Sequence, residues 1–212
     1  MSRFETAQVT HGYREHCEDR VAVIDEDERT IVVVADGAGG VGNGDAAAET
    51  VIREVTTNHR KISTAEQWEA ELRQIDFRLG VGESTAVVVD LRVDSIVGAS
   101  VGDSRAWIIR DGELIDLTVY QNRKPLLGSG DARPKQFSHG SLIGTLIVAT
   151  DGFCSYVKRD ELTRMVAQAD LFEIPRRCIE LVRLPSGDLW DDIGIVACRV
   201  MRQRRSRTRY TI

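Results

Sequence analysis

Cysteine is scarce and scattered: Cys17, Cys154, Cys178 and Cys198 lie far apart, with no Cys-x-x-Cys pair and no histidine cluster beside them. That spacing argues against a zinc site and against a disulfide scaffold, and the thiols are expected to be reduced. Neither Cys17 nor Cys154 has the basic surroundings that a thiolate nucleophile needs. Also missing is any apolar run long enough to cross a membrane as a helix, and Met1-Ser2-Arg3-Phe4-Glu5 carries no signal-like apolar stretch. The expectation is a cytoplasmic protein with no membrane contact. An excess of positive charge is absent too: the formal net charge is -5, so no general pull toward nucleic acid is expected. The exception is the end of the chain, where residues 202–209 hold five arginines. Residues 202–212 are read as a basic, flexible tail behind a single domain of residues 1–201, long enough to bury a substantial core.

What the chain has is one strongly marked stretch, residues 31–45. The β-branched run Ile31-Val32-Val33-Val34 ends in Asp36 and then in a string of glycines, Gly37, Gly39, Gly40, Gly42 and Gly44. The run suits a strand buried on both faces, and the glycines permit a tight turn or a close approach to a ligand. A helical stretch follows from Asp45. No Gly-Lys-Ser/Thr appears and the spacing is not the dinucleotide fingerprint, so a phosphate-cradling nucleotide loop is disfavoured. A carboxylate at a strand tip suits a hard divalent cation of the magnesium or manganese kind.

Along the rest of the chain, strands are predicted at 4–10, 20–25, 31–35, 84–91, 95–101, 105–110, 113–117, 141–149 and 193–201. Helices are predicted at 45–59, 63–79, 159–168 and 175–182, with Ser63 and Glu66 as a capping box. Trp68, Leu72, Ile75 and Leu79 form the apolar stripe of the second helix. Asp111-Gly112 marks a hairpin turn. Residues 119–140 read as a loop with short strand pieces, compatible with a lid or with a plain surface connection. Strands, two helices, strands, two helices and a strand point to a layered α+β sandwich.

Acidic residues recur at strand ends: Glu18 with Asp19, Asp36, Asp151, and Asp191 with Asp192. If those ends converge, the summed negative charge is destabilising unless cations neutralise it, which is the signature of a two-metal site.

These residues also resemble an ordered motif set. Arg14-x-x-x-Glu18-Asp19-Arg20, Val34-Ala35-Asp36-Gly37-x-Gly39-Gly40, Glu83-Ser84-Thr85, Val101-Gly102-Asp103-Ser104-Arg105, Ala149-Thr150-Asp151-Gly152 and Asp191-Asp192-Ile193 are similar, in order, to the motifs of the protein phosphatase 2C (metal-dependent PPM) family. The resemblance implies a four-layer αββα sandwich of two antiparallel β-sheets flanked by pairs of helices. It implies two divalent cations, manganese or magnesium, and a phosphoserine/phosphothreonine phosphatase working through a metal-activated water without a covalent intermediate. By the same resemblance Asp36 is the ligand shared by both metals, with the Gly37 carbonyl on one. Glu18, Asp19, Asp151 and Asp191 complete the centre, Arg14 grips the phosphate, and Asp103 matches a position linked to a weak third metal. The implied partners are a phosphorylated protein and a serine/threonine kinase.

The chain departs from the pattern in places. Ala38 stands where a histidine is common. Cys17 and Asp192 replace asparagines, which leaves open whether Asp191 or Asp192 is the ligand. The flap segment at 119–140 is short. The competing expectation is an inactive protein of the same fold that binds a phosphoprotein or a kinase.

Overall fold

The computed structural model describes residues 3–13, 15–38 and 42–201. Arg14, part of the glycine loop and the arginine-rich tail therefore lie outside the described residues.

The strands are β1 Phe4–His11, β2 Asp19–Glu26, β3 Arg29–Asp36, β4 Ala86–Arg92, β5 Ser95–Val101, β6 Arg105–Arg110, β7 Glu113–Asp116, β8 Lys135–Gly140, β9 Thr145–Ala149 and β10 Ile193–Val200. The helices are α1 Gly44–Asn58, α2 Ala65–Arg78, α3 Asp151–Cys154, α4 Arg159–Gln168 and α5 Ile174–Val182. They build two antiparallel sheets, one in the order β1-β10-β9-β6-β7 and the other in the order β2-β3-β4-β5-β8.

Side-chain alternation assigns each layer. In β3, Ile31, Val33 and Ala35 pack with Val51 and Val55 of α1 and with Trp68, Leu72 and Ile75 of α2. Val32 and Val34 turn the other way, into a core shared with Ala106 and Ile108 of β6, Leu146 and Val148 of β9 and Val196 of β10. The outer face of that second sheet, with Ile147, Ala149, Ile193 and Ile195, is covered by Leu162 and Val166 of α4 and Ile174 and Cys178 of α5. Two covered faces explain why β3 is an unbroken apolar run rather than an alternating one. The result is the four-layer αββα sandwich expected from the motifs.

Local differences have clear causes. The second helix starts at Ala65, two residues later than predicted: the cap is Thr64 rather than Ser63, its hydroxyl accepting from Gln67 N–H while the Gln67 carboxamide reaches back to the Ser63 and Thr64 amides. The apolar run 141–149 is not one strand. Residues 135–140 form β8 on the edge of one sheet, and the chain then crosses to the other sheet to start β9. Gly144 makes that crossing at φ +102, where a side chain would meet the Ile109 carbonyl. β8 carries mostly polar residues because it is an edge strand, so periodicity did not reveal it.

Segment 119–140 is not a loose lid. Leu127 pairs with Ser84 through reciprocal backbone hydrogen bonds of 3.0 Å each. The buried Asp76 carboxylate of α2 accepts the amides of Gly128 at 2.7 Å, Gly130 at 3.1 Å and Ala132 at 3.0 Å. The segment is thereby tied to the helix layer.

Candidate metal centre

The register of the two sheets brings the acidic strand ends together. On one sheet, Asp19 at the start of β2 lies opposite Asp36 at the end of β3. On the other, β9 and β10 run antiparallel with Ala149 opposite Ile195, which puts Asp151 and Asp191 at the same edge. Thr150 closes this corner: its amide donates to Gly194 O at 3.0 Å and its hydroxyl accepts from Gly194 N at 2.8 Å. Across the gap between sheets the Asp36 and Asp151 carboxyl groups face each other closely enough to perturb one another, and Asp19 feels the charges of Asp151 and Asp191.

The backbone behind Asp36 is tightly held. Asp36 N donates to Thr85 Oγ1 at 3.1 Å, Asp36 O accepts from Thr85 N at 2.8 Å and from Ser84 Oγ at 3.0 Å, and Thr85 Oγ1 pairs with Ser104 Oγ at 2.7 Å. The Ser84-Thr85 and Gly102-Asp103-Ser104 motifs thus buttress Asp36 through buried hydroxyls, a role that sequence reading did not assign to them. Gly37 is needed because its backbone passes against Gly44, where a Cβ would collide with the Gly44 carbonyl. Gly152 is likewise crossed by the Asp192 carbonyl. Arg20 braces the loop before β2, donating to Cys17 O at 2.7 Å and Asp19 O at 2.9 Å while pairing with Glu49 of α1 at 3.0 Å.

The structure separates Asp191 from Asp192. The two oxygens of Asp192 accept the backbone amides of Tyr13 at 2.7 Å and Glu18 at 2.6 Å, so this side chain fastens the 13–18 loop to the start of β10. Asp191 is exposed, and the hydrogen bond its carboxylate makes is with the next backbone amide, Asp192 N. Asp103 is engaged elsewhere. Its carboxylate pairs with Arg123 of the 119–140 segment at 2.7 Å, and both charges are felt at Asp151. Arg105 donates to Thr118 O at 2.9 Å, so this motif also secures the start of that segment.

Electrostatics mark the cluster. Burial, and then neighbouring carboxylates, push the Asp19 carboxyl up to about 8 and raise Asp36 well above the usual carboxylate range. Asp151 is raised by burial and by Asp103, and Glu18 by burial and by Asp192 and Asp45. Like charges gathered in a low-dielectric corner favour protons or cations over bare carboxylates. By contrast, burial pushes the Cys17 thiol up to about 11 and raises Cys154 as well, so neither is a poised nucleophile.

The donor set fits hard divalent cations. It consists of carboxylate oxygens, and one of them, Asp19 Oδ2, is buried with no hydrogen-bond partner. Among the described residues no group of three or more histidine, cysteine, aspartate or glutamate side chains stands close enough together to hold a metal ion as placed. Mutually repelling carboxylates have reason to stay apart until a cation draws them in.

The architecture is that of bacterial serine/threonine phosphatases. A crystal structure of a bacterial serine phosphatase, bearing a single arginine-to-alanine mutation, superposes with a TM-score of 0.82 at 21% identity, covering 95% of this chain and 100% of that one. The catalytic domain of the serine/threonine protein phosphatase PstP, solved in complex with two manganese ions, superposes with a TM-score of 0.76 at 19% identity, covering 94% of this chain and 99% of that one. In sequence, the serine/threonine phosphatase stp of Listeria monocytogenes is 32% identical over 125 residues, 50% of this chain and 49% of the relative. The chain spans about half the length of the curated relatives it matches. No family model matches it.

Proposed function

We propose that the chain is a metal-dependent serine/threonine phosphoprotein phosphatase. The observation that carries this reading is the convergence of Asp19, Asp36, Asp151 and Asp191 from two sheets at one corner, with a buried carboxylate oxygen lacking a partner. The relatives and the shared fold support it, including the neighbour solved with two manganese ions.

In this reading Asp36 would be shared by both cations, the Gly37 carbonyl would join it on one, Asp151 and Asp191 would hold the other, and Glu18 with Asp19 would help to hold the centre. Asp191 is assigned as the ligand rather than Asp192, since both Asp192 oxygens accept backbone amides and fasten the loop. Manganese or magnesium, when bound, supplies positive charge against the phosphoryl oxygens and activates the attacking water. The protein's own part is to hold the carboxylates at fixed strand ends, with the Ser84, Thr85 and Ser104 hydroxyls keeping Asp36 in place. Arg14 is assigned to the phosphate, since a guanidinium fork matches two phosphoryl oxygens. A third cation at Asp103 would have to displace Arg123. Residues 1–201 act as one catalytic unit in the cytoplasm, the substrate is a phosphorylated protein, and the opposing enzyme is a serine/threonine kinase.

The test is hydrolysis of a phosphothreonine peptide with manganese, with magnesium and with chelator, alongside Asp36→Asn and Asp151→Asn. Turnover is expected with metal only, and to fall by more than about a hundredfold in each variant. Metal binding without turnover in any condition would favour the inactive, phosphoprotein-binding alternative. Full activity of Asp36→Asn would refute the assignment.

A further inference from the structure

Beside the acidic corner lies a cleft of about 760 Å³ whose walls differ in chemistry. One part is aromatic, Tyr13 and Trp190, and the rest is polar, with the carboxylates of Glu15, Glu18, Asp191 and Asp192 outnumbering the imidazole of His16. Trp190 is 54% exposed and stacks on Tyr156, itself 44% exposed, with ring centroids 5.4 Å apart and planes 9° from parallel. Two large aromatic rings stacked on one another and open to water, beside a polar rim, form an apolar surface of the kind that takes a partner group.

The elements that carry these rings are the ones that carry the candidate ligands. Trp190 directly precedes Asp191, Tyr156 follows the α3 turn that begins with Asp151, and the Tyr13 amide is held by Asp192. The aromatic wall is therefore fixed relative to the corner where the phosphate is placed. Glu15 stands outside the candidate ligand set, so its charge remains when cations occupy the centre.

We propose that this cleft takes a lysine or arginine side chain of the phosphoprotein, close in sequence to the phosphorylated residue. The inference rests on the phosphatase reading and adds a substrate class to it. A cation with an aliphatic stem fits both walls: the charge meets Glu15 and the acidic rim, while the stem or guanidinium lies on the Trp190 and Tyr13 rings. An acidic flanking residue is repelled by the same wall, so the cleft selects as well as attracts.

The experiment uses phosphothreonine peptides of alanine background, with one arginine walked a position at a time through the flanking residues, and p-nitrophenyl phosphate as a substrate without flanks. At one or two positions arginine should raise kcat/KM about fivefold over alanine, and the gain should shrink at high salt. In Trp190→Leu and in Glu15→Gln the ratio of arginine to alanine peptide should fall toward one. A readout independent of turnover is available because Trp190 is the exposed tryptophan, Trp68 and Trp107 being buried at 0% and 3% exposure. The arginine peptide with a non-hydrolysable phosphonate should shield Trp190 fluorescence from acrylamide quenching, and the alanine peptide should shield it less. If p-nitrophenyl phosphate is hydrolysed with manganese while arginine gives neither a gain nor extra shielding, the inference is overturned and the phosphatase reading stands. If no phosphate ester is hydrolysed with either metal, the reading falls and takes the inference with it.

Discussion

Replacing Asp76 by alanine should destabilise the protein sharply although the residue lies on α2 and not among the acidic strand ends. Its buried carboxylate accepts three backbone amides, Gly128, Gly130 and Ala132, which together fix the turn at 126–132. Hydrogen bonds to a charged acceptor contribute roughly 1.5–3 kcal/mol each, and a buried amide left without a partner costs about 1–3 kcal/mol. Water can reach part of the freed turn, which lowers the total, but the Ala132 amide is buried at 8% residue exposure. We expect a loss of about 3–5 kcal/mol in Asp76→Ala, equivalent to a melting temperature lower by about 6–20 °C for a domain of this size. Asp76→Asn should cost less, roughly half, because the carboxamide oxygen can keep the two amides on Oδ1 while its NH2 faces Ala132 N–H. Calorimetry gives the melting temperatures, and hydrogen exchange at residues 128, 130 and 132 shows where the change acts. A melting temperature within about 2 °C of the parent, with exchange at those amides unaltered, would refute the reasoning.

Three further outcomes follow from the same geometry. Asp19 and Asp36 have raised folded pKa values, so the stability they contribute is full below the unfolded carboxylate pKa and is lost as pH rises through the folded values; in chelator, the melting temperature should fall between about pH 4 and about pH 8, and manganese should reverse the trend at the upper end, whereas a rise with pH in chelator would contradict it. Asp90 is fully buried between Arg29 at 2.9 Å, Arg92 at 3.0 Å and the Trp68 indole at 3.2 Å, and Asp90→Ala should cost about 3–5 kcal/mol in urea unfolding because it strands the buried end of Arg29. Gly152→Ala places a methyl group against the Asp192 carbonyl, so it should weaken manganese binding measured by calorimetry more than it lowers the melting temperature; unchanged affinity would show that the 191–192 turn does not set the site.

Much of the architecture was legible because burial writes itself into periodicity. The unbroken apolar β3, the 3.6-residue stripe Trp68, Leu72, Ile75 and Leu79 and the Asp111-Gly112 turn each have a single physical reading, and each element formed within two residues of where that reading placed it. β8 was hidden because an edge strand need not alternate. The start of β9 was misplaced because Gly144, a backbone device, interrupts a run that looks continuous in composition.

The acidic residues were equally visible, since a carboxylate at the end of an apolar strand is conspicuous wherever it falls. By itself the sequence determined which side chains stand at strand ends and that their charge needed neutralising. Only the tertiary structure decided which of them meet. The Asp19–Asp36 register, the approach of Asp36 and Asp151 across two sheets, and the capture of Arg123 by Asp103 join residues far apart along the chain. So does the choice between adjacent aspartates: Asp191 and Asp192 are chemically identical in the chain, and they part because the Tyr13 and Glu18 amides, brought over by the β1–β2 loop, claim both oxygens of Asp192. Local pattern encodes which face of an element is buried, whereas the partner of a polar group is set by backbone crossings that no local pattern contains.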